Sequence, residues 1–230
     1  MAYLVKHGEA VKGSIVILGA PGLRSVGKIA IDYLIEKLKP TLVAELYSPH
    51  FPAIHQTEPS YAPHPDYPGD AGVLLQKNGL ELPKVDFYFS ASLKLLLTNG
   101  YHANFWGQYD VAKRVLDFYQ EYGVKRMFIL AGHGIGNKDV CCAATKLELV
   151  KAMKQYGIET EYEGPFMGFS GLVFGLGKLR GIDGICLFGR TQPRSDDPEY
   201  PDPRAARNVL EKLSQLLNFE LDLSKLDAKP

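Results

Sequence analysis

The chain has 230 residues, with 26 Lys and Arg against 26 Asp and Glu, 46% hydrophobic residues and 23% charged residues. That length suits one large α/β domain, and the composition is that of an ordinary soluble globular protein. A wholly disordered chain is excluded by this hydrophobicity, and the lack of a basic surplus argues against nucleic acid as a partner.

From Met1 to Gly13 there is no early basic cluster, and Ile15–Leu18 is too short for a signal peptide. No apolar run approaches the about 18 residues of a spanning helix. Cys141, Cys142 and Cys186 are odd in number and two are adjacent, so no disulfide framework is expected. These features read as a reduced, cytoplasmic protein without a membrane partner.

In chain order, strands alternate with helices. Ser14–Gly19 reads as a buried strand. Val26, Ile29, Ala30, Tyr33, Leu34 and Leu38 then form one apolar stripe, predicting a helix over Arg24–Lys39 that Pro40 stops. Thr41–Tyr47 is strand-like. Residues 48–70 contain six prolines (49, 52, 59, 63, 65 and 68) and fit neither period, so they read as an irregular insertion in a single domain spanning 1–230. Gly72–Gln76 and Leu80–Leu82 flank Asn78-Gly79, a hairpin signal. Val85–Ser90 and Leu93–Thr98 are further strands.

Ala112, Val115, Leu116 and Tyr119 mark a helix closed by Gly123, and Lys125–Ala131 is a buried-type strand leading into the turn Gly132–Gly136. Thr145 and Glu148 have capping-box spacing and predict the start of a helix that ends before Gly157. Gly168–Leu179 reads as a glycine-rich helix and Ile182–Gly189 as a strand. Asp202 is the predicted N-cap of the last helix, with Pro203 at its first position and Asn218 at its end. Helices separating strands predict an α/β/α three-layer sandwich around a mixed, mostly parallel sheet.

The chemistry-bearing patterns are incomplete. Gly22-x4-Gly27-Lys28 has phosphate-loop spacing, but Ile29 stands where a Ser or Thr must hold Mg²⁺. Its glycines read first as packing positions. Gly132-His133-Gly134 follows a strand but lacks a dinucleotide fingerprint. If both turns share one sheet edge, Gly22, Gly27, Lys28, Gly132, His133 and Gly134 form a residual anion site. His50, His55 and His64 share the proline-rich insertion with Glu58, Asp66 and Asp70 without metal-site spacing, so no metal is expected. Cys141 and Cys142 read as buried small residues. Gly168-Phe169-Ser170-Gly171 misses the nucleophile-elbow spacing by one residue. Neither a catalytic set nor a cofactor site is predicted.

Gly19-x-Pro21-Gly22, Val26-Gly27-x-Ile29, Gly132-x-Gly134, Ala143-Ala144-Thr145, Gly168-x-x-Gly171-Leu172, Leu187-x-Gly189-x-Thr191 and Pro201-Asp202-Pro203-x-Ala205-Ala206 follow one another in fixed order. In these residues, over about 13–226, the chain resembles the archaeal members of the proteasome assembly chaperone 2 family. The resemblance implies a core similar to the purine nucleoside phosphorylase fold. It further implies homo-oligomers and a non-catalytic assembly-chaperone or adaptor role on the proteasome core particle. Relatives that dock on the proteasome rim use a hydrophobic-Tyr-x tail, which Asp227-Ala228-Lys229-Pro230 does not match; tail-mediated docking is therefore in question. The alternative is an enzyme or small-ligand binder, for nucleotide or phosphate, working through the two glycine-rich turns.

Phe51, Ile54, Tyr61 and Tyr67 give the insertion an aromatic and apolar character that suits a subunit interface. A flap over the chain's own sheet edge has the same composition. Restriction by proline lowers the entropy lost on ordering in either case.

Overall fold

The computed structural model describes residues 2–8, 12–51, 74–77, 79–101, 106–134, 136–161, 163–192, 194–197 and 200–227. The strands are β1 (Tyr3–Lys6), β2 (Ile15–Gly19), β3 (Thr41–Tyr47), β4 (Leu74–Gln76), β5 (Gly79–Glu81), β6 (Val85–Ser90), β7 (Leu95–Asn99), β8 (Arg126–His133), β9 (Val140–Ala144) and β10 (Asp183–Arg190). The helices are α1 (Val26–Leu38), α2 (Gln108–Glu121), α3 (Leu147–Lys154), α4 (Gly168–Leu179) and α5 (Pro203–Leu217). A 3-10 turn, Leu23–Ser25, leads into α1.

Eight strands form one sheet in the order β1-β3-β6-β7-β2-β8-β10-β9, and β4 pairs with β5 in a separate hairpin. The parallel pairs are β7–β2, β2–β8 and β8–β10; β1–β3, β3–β6, β6–β7 and β10–β9 are antiparallel. The sheet is mixed, as expected, but parallel pairing is confined to four central strands rather than dominating it. Parallel neighbours need a crossover connection: α2 links β7 to β8 and α4 leads back into β10, while α1 carries the chain from β2 across to the antiparallel strand β3.

Alternation splits the core into two layers, completing the expected three-layer sandwich. Val16, Leu18, Leu96, Ile129 and Cys186 face α2 and α4. Ile17, Leu95, Leu97, Phe128, Leu130, Ile185 and Leu187 face α1 and α5. A polar group inside the first layer is satisfied: the Tyr119 hydroxyl donates to Thr98 Oγ1 at 2.8 Å.

The last helix starts and stops as its residues predict. Asp202 Oδ1 accepts from the Ala205 amide at 3.0 Å, Pro203 opens the helix, and Asn218 closes it in the left-handed region at φ 52°. Three details differ from the sequence reading. Strands β1 and β9 carry weak local signals and form because a partner edge exists; in β9 the small residues Cys141–Ala144 pair along β10. Thr145 does not cap α3, whose N-cap is Lys146 without a side-chain bond. Its hydroxyl instead accepts from the Gly184 amide at 2.9 Å, so the edge of β10 captures it. The hairpin register pairs Gln76 with Gly79, making Gly79 a strand residue rather than a turn residue.

Candidate functional site

The C-terminal ends of β2, β8 and β10 meet the turns that lead into α1 and α5. Two glycines of the predicted anion site prove to be packing positions here. A Cβ on Gly27 lies 2.2 Å from the Leu130 carbonyl oxygen, and one on Gly132 lies 2.9 Å from the Leu23 carbonyl oxygen. The first turn of α1 is thus pressed backbone to backbone on β8, which only glycine permits.

Lys28 and His133 do not converge. Lys28 is buried on α1 and pairs with Asp32, with Nζ at 2.7 and 2.8 Å from the two carboxylate oxygens. Asn99 Nδ2 also donates to Asp32 Oδ1, at 3.1 Å. His133 lies on the other face of the sheet, beside Phe188, with Nε2 3.3 Å from Cys141 Sγ. Burial pulls the His133 pKa below its ordinary value and pushes the Cys141 thiol up to about 11. The pair is therefore a neutral imidazole and a neutral thiol, not an activated nucleophile. Gly134 remains open, with only the Thr191 carbonyl oxygen 3.7 Å from a Cβ built there.

Phe51 is 6% exposed and packs edge-on against Tyr101 at 5.3 Å, so its ring belongs to the chain's own core. Ile54, Tyr61 and Tyr67 lie outside the described residues, as do His55, His64, Glu58, Asp66 and Asp70. His50 Nε2 stands 3.5 Å from Asp110 Oδ2. Among the described residues no His, Cys, Asp and Glu group is arranged to hold a metal ion.

The residue that organises this edge is Arg24, which sequence reasoning passed over inside its own glycine motif. Arg24 and Ser25 both occupy left-handed backbone conformations, at φ 45° and 54°. Such a pair persists only where surroundings hold it. The holding contacts are plain: Arg24 Nε donates to the Tyr200 carbonyl at 2.6 Å. Nη1 donates to the Gln192 carbonyl at 2.6 Å, Thr191 Oγ1 at 3.1 Å and Asp202 Oδ2 at 3.2 Å. Thr191 Oγ1 donates to Asp202 Oδ2 at 2.6 Å, and the Asp202 amide donates to the Arg24 carbonyl at 2.9 Å. One buried guanidinium therefore ties the β2–α1 turn to the β10–α5 turn. Thr191 and Asp202 did stand among the residues carrying the family resemblance, which was the available signal. Beside this knot is a cleft of about 260 Å³ lined by Arg24, Asp139, Arg190, Thr191, Asp202 and Arg204, among others.

A second polar centre sits over the antiparallel strands. Lys84 Nζ reaches Glu45 at 2.5 Å, Glu81 at 2.8 Å and Asp86 at 3.6 Å, and His7 pairs with Glu45 at 2.5 Å. Burial pushes the Asp86 carboxyl up to about 6, against the pull of Lys84. Burial also works to raise Glu45, but hydrogen bonds from Lys84 and His7 hold it below its ordinary value. Tyr3 stacks on Tyr47 across the strands, with ring centroids 5.3 Å apart.

Comparison with known proteins places this architecture. A Methanocaldococcus jannaschii protein, described as uncharacterized, is 30% identical over 98% of this chain and 82% of its own length. The crystal structure of Pyrococcus furiosus PbaB, an archaeal proteasome activator, superposes with a TM-score of 0.79 at 30% identity, covering 98% of this chain and 93% of that one. Pyrococcus furiosus PbaA, an archaeal homolog of proteasome-assembly chaperone, shares the fold with a TM-score of 0.76 at 23% identity, covering 98% and 90% of the two chains. The sequence matches the model of the PAC2 family over residues 16–229, and the chain belongs to that family.

Proposed function

We propose that this protein is a non-catalytic, self-associating member of the PAC2 family that binds the proteasome core particle in the cytoplasm as an assembly chaperone or adaptor. The observation carrying this reading is the match to an archaeal proteasome activator along nearly the whole of both chains, at 30% identity. The site geometry is consistent with it: Gly27 and Gly132 serve packing, and Lys28 and His133 sit on opposite faces of the sheet. Tyr3 and Leu80 are more than half exposed beside the Lys84 cluster and offer apolar surface for association.

Surface-immobilised core particle from the same organism, titrated with this protein, tests the binding. A saturable response at micromolar concentration is expected, and its absence overturns the proteasome reading. Light scattering tests self-association separately, and a monomeric mass at every concentration overturns that part.

A further inference from the structure

We propose that the cleft between the β10 terminus and α5 binds a small molecule through a phosphate group. It lies beyond the carboxyl ends of the parallel strands β8 and β10, where open α/β sheets place ligands. The site differs from the one the glycine motifs predicted.

Three arginines, Arg24, Arg190 and Arg204, line one cavity of about 260 Å³. Arg24 is committed to the buried knot with Thr191, Asp202 and the Gln192 carbonyl, so it forms a fixed wall. Asp202, one of the two acids in the lining, is committed to that same knot. Arg190 and Arg204 are in a different position: among the described residues neither has a carboxylate within ion-pair distance, although Asp139 also lines the cleft. Arg190 is half-buried and Arg204 exposed, and cations gathered around one concave space repel one another unless an anion joins them. Arginine is the side chain best matched to phosphate oxygens. The lining also includes Gln192 and Asn208, which extend the hydrogen-bonding capacity of the cleft beyond the phosphate to the rest of a small polar molecule. The volume holds a phosphate with a compact polar substituent but falls below the usual range for drug-sized ligands, about 300–1,000 Å³.

The test titrates inorganic phosphate, pyrophosphate and ribose 5-phosphate into the full chain at constant ionic strength. Sodium chloride and sodium acetate serve as controls for salt and for a carboxylate. Calorimetry and thermal melts are read for the native protein, Arg190→Gln, Arg204→Gln and the double variant. Arg126→Gln removes a cation at the opposite end of β8 and is the matched control. Binding of at least one phosphate compound is expected in the native protein and in Arg126→Gln, with affinity falling roughly tenfold or more in the double variant. Amide chemical shifts of Thr191, Gln192 and Asn208 in the native protein are expected to move during the titration, a readout that needs no variant. Equal phosphate response in the native and double-variant proteins overturns the proposal. So do a response matched by acetate, and amide shifts that leave those three residues still at about 10 mM phosphate.

Discussion

In the parallel half of the sheet, β7, β2, β8 and β10, both faces are apolar and both are covered: α2 and α4 lie on one side, α1 and α5 on the other. In the antiparallel half, Leu46, Val85, Phe87 and Phe89 face the α2 layer, while the opposite face carries Glu45, Tyr47, Asp86 and Tyr88. On that opposite side the helices lie over β2, β7, β8, β9 and β10. The two halves share one ladder of hydrogen bonds but exclude water differently. Crossover helices dry both faces of parallel strands, whereas hairpin-joined strands leave one face for polar groups. Half the sheet is consequently held by close packing and half by packing on one side plus a charge cluster on the other. Substitutions should fail in different ways in the two regions.

The largest effect is expected where packing is tightest. Gly27→Ala places a methyl group 2.2 Å from the Leu130 carbonyl oxygen, so α1 must lift from β8. A loss of about 3 kcal/mol or more, read as a lower urea midpoint, is expected. A loss below about 1 kcal/mol would show that α1 shifts freely and that the parallel half is not rigid.

Arg24→Gln comes next. It removes a buried guanidinium whose bonds join two turns, leaving the Gln192 and Tyr200 carbonyls without this donor while Asp202 keeps its bonds from Thr191 and the Ala205 amide. About 2–4 kcal/mol of stability is expected to be lost in denaturant unfolding. Hydrogen exchange is expected to speed up at both turns together, and exchange confined to residues 23–25 contradicts a tie between them.

The antiparallel half is expected to respond with the opposite sign. Asp86 titrates at about 6 in the folded protein against an ordinary 3.8, chiefly because it is buried. Among the described residues its Oδ1 is buried without a hydrogen-bond donor. The folded state binds more protons than the unfolded state between those two values, so this group's contribution falls as pH rises from about 4 through 6 and stays low above. Asp86→Asn is accordingly expected to raise stability at pH 7.5 by about 1–2 kcal/mol and to leave it nearly unchanged near pH 4. Thermal melts across that range check it; an equal gain at both pH values rules out titration as the cause.

The smallest stability change is expected at the outermost pair. Tyr3→Ala removes an exposed cross-strand stack on Tyr47 and should cost about 0.2–1 kcal/mol. If the face carrying Tyr3 and Tyr47 mediates association, the same variant shifts light-scattering mass downward while its melt barely moves. A fall in stability as large as that of Gly27→Ala would mean the two halves are equally dependent on packing.

Much of this was present in the chain itself. The apolar runs Ile15–Leu18, Met127–Ala131 and Ile185–Phe188 mark strands of the parallel set because burial on both faces demands unbroken hydrophobicity. The start and stop of α5 were legible at Asp202, Pro203 and Asn218 because a cap is a contact between near neighbours. Tertiary structure decided the rest. Strand β9 exists because Phe188 and its neighbours present an edge to Cys141–Ala144, and that same edge draws Thr145 away from the cap its spacing advertised. Lys28 and His133 share an end of the sheet but not a face, a fact fixed by the pleat of β8 and by α1 crossing to one side. The Arg24 knot joins residues up to 178 positions apart. No local period reports a contact of that range, because it comes into being only when the β10–α5 turn is folded against the β2–α1 turn.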